Sequence, residues 1–241
     1  SLTTPLVTAH YPAFGFDQSS APCIDQLFTM DSTGTSTNRH GIMYMTSNGR
    51  INNGAGVKNA GAVGLWVART SNVFAPSTIF SGAGIYGLFI TDRSIAHCNS
   101  INVSNSLGRG IYCIGSSINC PSAVATGCTT EALYVEKGSQ VYGDSGNYTS
   151  TGTAVAVYII HGSIASLDGA TIAAAANHGL YVIYSSQVTA DSAIISATGT
   201  NAYGAVSYNG SNLCVNSANI TSTNSHAVYC ANGSQATAIA T

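Results

Sequence analysis

The fold of this chain is decided by a short stretch that returns many times. Residues 179–190 read GLYVIYSSQVTA, and residues 156–167, one repeat earlier, read AVYIIHGSIASL. Both open with a small residue, which we call the anchor, and continue with an aliphatic, an aromatic and a second aliphatic side chain. Eight copies follow one another from about residue 61, at intervals of 22 to 25 residues. Their anchors are Gly64, Gly87, Gly110, Ala132, Ala156, Gly179, Gly204 and Ala227.

A serine stands seven positions after every anchor. Glycine often precedes it, as at Gly138 and Gly210, which indicates a turn between two short strands. A second and a third short strand follow in each repeat, for example over residues 187–190 and 193–196. The serines of this column are Ser71, Ser94, Ser117, Ser139, Ser163, Ser186, Ser211 and Ser234.

Three short strands per repeat, joined by turns, are typical of a parallel β-helix. No segment shows the 3.6-residue periodicity that a helical repeat needs. The sequence therefore predicts an all-β fold: a right-handed, single-stranded parallel β-helix, a solenoid of about eight coils of about 23 residues, over residues 61–241. Residues 1–60 lie outside the repeat, and we expect them to form a separate N-terminal capping region.

Stacked coils turn each repeat position into a vertical column, because every strand bonds to its counterparts about 4.8 Å above and below. The positions one and three after the anchor are nearly all aliphatic or cysteine, so we expect them to point into the core. The position two after the anchor should then point outward, since side chains alternate along a strand.

The composition narrows the function classes. Charged residues make up only 7% of the chain, and the net charge is −2, so there is no basic surface for nucleic acid. No apolar run approaches the roughly 18 residues that a membrane span needs, so we expect no membrane insertion. The seven cysteines form no CxxC pair and the six histidines have no ligand spacing. We therefore expect neither a metal site nor another cofactor.

The repeat has a recognisable character. Columns such as GLYV at residues 179–182 and GSQV at residues 138–141 resemble the repeats of right-handed parallel β-helix proteins. Their richness in Ser, Thr and Asn resembles that of bacteriophage tailspikes and tail fibres, over about residues 61–241. The resemblance implies a homotrimer that is attached to other virion tail proteins, acts outside the cell, and binds, in some members cleaves, host surface polysaccharide.

The outward column two positions after the anchor is aromatic in all coils but one, where Val206 stands. A continuous exposed aromatic stripe must be covered or used. It could form a subunit interface, stack between coils, or offer a platform for sugars, and its length favours the interface. Its members are Trp66, Phe89, Tyr112, Tyr134, Tyr158, Tyr181 and Tyr229.

Three acidic residues recur twelve positions after their anchors, namely Asp144, Asp168 and Asp191. Stacked carboxylates at such spacing could serve as the catalytic acid and base of a glycan-cleaving enzyme. They could also cap the same turn in each coil through local backbone bonds, or hold a cation. Asn99 and Asn216 occupy the same position in other coils, a mixture that favours turn capping.

The leading hypothesis is a tail fibre or tailspike component of a phage virion that attaches to the host by binding a surface glycan or another receptor. A polysaccharide depolymerase on the same scaffold, either a glycoside hydrolase or a lyase, is the alternative. A structural decoration protein of the virion, or a bacterial surface adhesin, is the third. The chain's only two glutamates, Glu131 and Glu136, belong to no catalytic motif.

Overall fold

A computed structural model describes residues 11–18, 20–29 and 39–239 of the chain. Within these ranges every regular element is a β-strand, and there is no helix of the length and apolar character that a membrane span requires. The strands pair in parallel with the equivalent strands of neighbouring coils. The predicted parallel β-helix is therefore confirmed.

Three parallel sheets form the sides of the solenoid. The first sheet consists of β1 (Tyr11–Asp17), β4 (Arg39–Met45), β7 (Val63–Ala68), β9 (Tyr86–Ile90), β11 (Arg109–Ile114), β14 (Leu133–Glu136), β17 (Val157–Ile159), β20 (Leu180–Ile183), β23 (Ala205–Tyr208) and β26 (Val228–Cys230). The second sheet consists of β2 (Ser20–Ile24), β5 (Asn48–Ile51), β8 (Asn72–Phe74), β10 (Ile95–His97), β12 (Ser117–Asn119), β15 (Gln140–Tyr142), β18 (Ile164–Ser166), β21 (Gln187–Thr189), β24 (Asn212–Cys214) and β27 (Gln235–Thr237).

The third side is less regular. It consists of β3 (Leu27–Thr29), β6 (Gly56–Lys58), β13 (Val124–Cys128), β16 (Asn147–Ser150), β19 (Thr171–Ala174), β22 (Ile194–Ala197) and β25 (Asn219–Ser222). Single bridges through Ile79 and Asn102 connect β6 to β13, so this side continues along the solenoid.

The first sheet contributes to the core the two columns that the repeat predicted, and the second and third sheets add inward side chains such as Ile118 and Ile172. The position one after the anchor points inward, and Leu65, Leu88 and Ile111 are fully buried one above another. The position three after the anchor does the same, as at Val135 and Ile159. Each such side chain stabilises the fold by about 1.5–3 kcal/mol relative to an exposed one.

The anchor is small because the next coil approaches it closely. A Cβ at Gly87 would lie 2.5 Å from the Cβ of Val103 and 2.8 Å from the carbonyl oxygen of Gly110. The anchor and the residue after it are both buried, which interrupts the alternation of the strand. As a result the residue before the anchor, such as Tyr86, faces outward beside the aromatic column.

The turns from the first to the second sheet use left-handed backbone conformations. At Asn209 and Gly210 the φ angles are +53° and +74°, and Lys137 and Gly138 repeat the pair at +59° and +70°. Asn and Gly are the residues that adopt such angles most readily. This explains why glycine so often precedes the serine column.

The serine column lies inside the solenoid and forms a hydrogen-bonded ladder. The N–H of one serine donates to the Oγ of the serine in the next coil, at 3.0–3.3 Å in seven of the pairs. The Oγ donates in turn to a carbonyl of its own turn, as Ser163 does to Ile160 at 2.7 Å. The ladder consists of Ser47, Ser71, Ser94, Ser116, Ser139, Ser163, Ser186, Ser211 and Ser234.

One member of the predicted column is therefore wrong. Ser117 is the register partner of Ile95 on the outer strand, and Ser116 occupies the inner position. The turn before Ser116 contains one left-handed residue, Gly115, where the preceding coil has two, so the serine arrives one residue earlier.

The strands begin before the sequence repeat does. Strand β1 pairs in parallel with β4, and β4 pairs with β7, so residues 11–17 and 39–45 continue the first sheet. The start of the repeat near residue 61 thus marks a change in sequence regularity, while a separate capping unit over residues 1–60 stays a proposal.

The ladder predicts a difference between adjacent serines. In Ser116→Ala the buried N–H of Ser94 loses the Oγ of Ser116 at 3.2 Å and keeps only the carbonyl oxygen of Thr91, also at 3.2 Å, so we expect the free energy of unfolding to fall by about 1 kcal/mol. The matched control Ser117→Ala, on the outer face, should change it by less than about 0.5 kcal/mol. Chemical denaturation of both variants checks this, and equal losses would contradict the inner placement of Ser116.

Candidate functional site on the aromatic face

The outer face of the first sheet carries a continuous row of aromatic rings, which we call the aromatic face. From Trp66 through Phe89, Tyr112, Tyr134 and Tyr158 to Tyr181, successive ring centroids lie 5.1–5.6 Å apart. The rings from Phe89 to Tyr158 contact the rings of the coils before and after them, edge to face around Tyr134. These side chains are half-buried rather than free.

Val206 interrupts the column, and it is only 2% exposed because its register partners Tyr181 and Tyr229 are much larger. The row bypasses it through the position before the anchor. His178 contacts Tyr181 at 5.3 Å, Tyr203 lies 5.1 Å beyond His178, and Tyr203 stacks on Tyr229 at 4.8 Å.

Sequence reasoning missed this second column. In a regular strand the residue before the anchor would point inward, because the residue after the anchor, two positions later, is buried. The anchor and the residue after it are both buried, and this break in the alternation turns the residue before the anchor outward. The signal was nonetheless present, since polar and aromatic residues precede most anchors. The outward members are His40, Tyr86, Arg109, Glu131, His178, Tyr203 and His226.

The middle of the aromatic face holds an ion pair. Arg109 Nε donates to Glu131 Oε2 at 2.8 Å, and the two side chains are only 23% and 15% exposed. The guanidinium lies 4.4 Å from the ring centroid of Tyr112 and 3.9 Å from that of Tyr134, at cation–π distance. Burial opposes the charge of Arg109, but the hydrogen bond and the charge of Glu131, together with Tyr112 and Tyr86, outweigh it and raise the pKa of the guanidinium.

The second glutamate lies on the same face. The hydroxyl of Tyr112 donates to Glu136 Oε1 at 2.6 Å, and His161 Nδ1 lies 3.7 Å from Glu136 Oε2. Burial and this hydrogen bond both raise the pKa of the Tyr112 hydroxyl, which therefore stays protonated as a donor. Both glutamates of the chain thus lie beside the row of tyrosines, and we call Arg109, Tyr112, Glu131, Tyr134 and Glu136 the polar cluster.

The three aspartates lie elsewhere, on the turns between the second and third sheets. Asp144 Oδ1 accepts from the N–H of Asp168 at 3.0 Å, and Asp168 Oδ1 accepts from the N–H of Asp191 at 2.9 Å. Asp191 Oδ1 continues the series to the N–H of Asn216 at 2.8 Å. The bonds run to the next coil rather than locally, and an asparagine oxygen can accept in the same way, as Asn216 does from Ile239.

No group of three or more His, Cys, Asp or Glu side chains among the described residues could hold a metal ion. His10 lies outside those residues. Four cysteines, Cys98, Cys113, Cys120 and Cys128, are buried, and burial raises their thiol pKa values, for Cys113 to about 12.

The histidine that bridges the row makes the aromatic face sensitive to pH. His178 Nδ1 accepts from the N–H of Tyr203 at 2.9 Å, which only the unprotonated nitrogen can do, and burial lowers its pKa below 6.5. The unfolded chain therefore binds the proton first, and His178 should reduce stability as the pH falls through about 6.5.

We expect the melting temperature to drop less between about pH 7.5 and pH 5.5 in His178→Gln than in the unaltered chain. Around pH 8 the imidazole is neutral in both the folded and the unfolded chain, so the melting temperatures of the variant and of the unaltered chain should change with pH in parallel. A larger drop in the variant would mean that attraction between the imidazolium and its ring neighbours outweighs burial.

Comparison with known proteins bears on the fold. No protein-family model matches the chain, and no curated protein matches it. A solved structure, full-length tailspike protein 2 from Escherichia coli O157:H7 bacteriophage CAB120, is similar with a TM-score of 0.59 at 12% identity. The match covers 93% of this chain and 38% of that one, so this chain spans well under half of the tailspike's length. In fold, the chain resembles the parallel β-helix of a phage tailspike.

Proposed function

We propose that this chain is a component of a phage tail fibre or tailspike that attaches the virion to its host by binding a surface glycan on the aromatic face. Its partners are then two further copies of the chain in a homotrimer, the other proteins of the virion tail, and the host polysaccharide. The observation that carries the proposal is the polar cluster in the middle of the aromatic face. The structural similarity to a tailspike supports the virion context.

The polar cluster has the chemistry of a sugar site. Carboxylates and a guanidinium form strong hydrogen bonds with hydroxyl groups, and the flanking tyrosines add apolar contact. Ring neighbours and Arg109 cover much of the ring faces, so a sugar meets mainly ring edges and the polar groups between them. The ion pair of Arg109 with Glu131 is nearly neutral as a unit, which suits a glycan without excess charge.

Binding is tested with fluorescently labelled bacterial lipopolysaccharides and capsular polysaccharides, and with whole cells. We expect Glu131→Gln and Glu136→Gln to weaken binding at least about tenfold, because a hydrogen bond to a charged group contributes about 1.5–3 kcal/mol. Asp168→Asn is the matched control, since it makes the same acid-to-amide change away from the aromatic face. It should bind like the unaltered chain.

Equal binding by all three variants would contradict the assignment of the aromatic face. A chain that ignores every cell and polysaccharide but binds phage capsids would instead be a decoration protein. Binding to cells of one species without any polysaccharide requirement would favour a surface adhesin.

A polysaccharide depolymerase is the second candidate, favoured by the position of the glutamates. Acid–base cleavage of a glycosidic bond uses two carboxyl groups that flank the bond and play different roles. Glu131 and Glu136 share one face and have different partners, a guanidinium and a tyrosine hydroxyl. Asp144, Asp168 and Asp191 remain an alternative set, although the Oδ1 of each already accepts a hydrogen bond from the next coil.

A reducing-end assay on the polysaccharide that binds separates these possibilities. If the chain is a depolymerase, Glu131→Gln and Glu136→Gln should each lower the rate at least about a hundredfold, the usual contribution of a general acid or base. Loss of activity in Asp144→Asn, Asp168→Asn or Asp191→Asn alone would move the site to the turns. If the unaltered chain releases no reducing ends, it binds the polysaccharide without cleaving it.

A further inference from the structure

The outer face of the second sheet forms a shallow groove in its last five strands, from β15 to β27. The groove has a volume of about 260 Å³, and no Asp, Glu, Lys, Arg or His lines it. Tyr142 and Ile164 border it with 53% and 45% of their surfaces exposed. The amide side chains of Gln140, Gln187 and Asn212 share one register column with Ile164.

The surrounding half of the chain has almost no charge. After Lys137 the sequence contains no lysine or arginine, and its only acids are Asp144, Asp168 and Asp191. Those three carboxylates lie on the turns and do not line the groove, but Asp144 Oδ1 accepts from the hydroxyl of Ser166 at 2.7 Å and Asp191 Oδ1 accepts from the thiol of Cys214 at 3.4 Å at the edge of the groove. The side chains that line the groove are therefore amide, hydroxyl, thiol and apolar groups, without a charge among them.

Such a surface is complementary to copies of itself. Symmetric assembly brings each group close to the same group of another copy, so a charge near the axis would meet its own sign and be repelled. Amide and hydroxyl groups each donate and accept, so they can bond to their own copies. The middle of the aromatic face is not an uncharged surface of this kind, because Arg109, Glu131 and Glu136 lie there.

We propose that the groove face of the second sheet is where copies of this chain pack against each other. This inference rests on the homotrimer of the proposed function, and it specifies that the second sheet of each copy faces the other copies. The aromatic face, on another sheet, then remains outward and available to a glycan.

Light scattering after size-exclusion chromatography tests this with the full chain. Gln187→Lys and Asn212→Lys place a cation on exposed groove positions, where the copies of that cation would repel one another. We expect both variants to shift from an oligomer to the mass of a single chain. Thr200→Lys is the matched control, an exposed residue on the turn that leads back to the first sheet, and it should keep the mass of the unaltered chain.

Circular dichroism of each variant must show an intact β-fold for the comparison to hold. A monomeric unaltered chain, or groove variants that stay oligomeric, would overturn the inference. If the groove variants instead lose polysaccharide binding while the mass is unchanged, the groove is a glycan site and not an interface. The Glu136→Gln variant tests the proposed function separately. If it loses glycan binding while the oligomer stays intact, the glycan site on the aromatic face stands whatever the groove variants show.

Discussion

Hydrogen bonding between equivalent residues of successive coils is the constraint on which the rest of this structure depends. The internal serines show it most clearly, because in seven pairs the backbone N–H of one serine donates to the side chain of the next coil's serine. A buried N–H without a partner costs about 1–3 kcal/mol, so coils that slipped by one residue would lose several such bonds at once. The register of each sheet and the placement of the core columns follow from this alignment.

Vertical alignment turns a short repeat into long surfaces. A position that is aromatic in most coils becomes the aromatic face, and a position that is Asp or Asn becomes a ladder of turn acceptors. In the function proposed above, the binding site lies where the repeat varies. Arg109, Glu131 and Glu136 add charges to a row of aromatic rings. The ladder of aspartates does not need its charge for the hydrogen bonds between coils, because Asn216 accepts the same bond.

Much of this could be read from the sequence because the repeat positions are so regular. The inward columns, the outward aromatic column and the parallel stacking all depend on period alone. The sequence predictions fail where a turn is one residue longer or shorter than in the neighbouring coil. Ser117 was counted into the serine column because the shorter turn at Gly115 is invisible in a count from the anchor. The aspartates were expected to accept local backbone hydrogen bonds, whereas Asp144 and Asp168 accept from N–H groups of the next coil, which only the stacked coils reveal.

The role of the anchor explains the largest omission. Close approach of the next coil at Gly87 buries two consecutive residues, and this turns the preceding side chain outward against the alternation rule. Glu131 and Arg109 therefore reach the aromatic face, although a simple strand pattern would bury them. Strands before residue 61 were missed for a different reason, since β1 and β4 keep the pairing geometry without the repeat's sequence.

Distances between spin labels on outward positions of the second sheet test the stacking most directly, with the labels carried on unnatural amino acids so that the native cysteines are left alone. Asn72 and Ile164 are separated by four steps of the register, and Asn72 and Asn212 by six. At about 4.8 Å per coil the two separations should be about 19 and 29 Å. Separations that fail to grow by about 10 Å between the two pairs would contradict a solenoid of coils stacked in register.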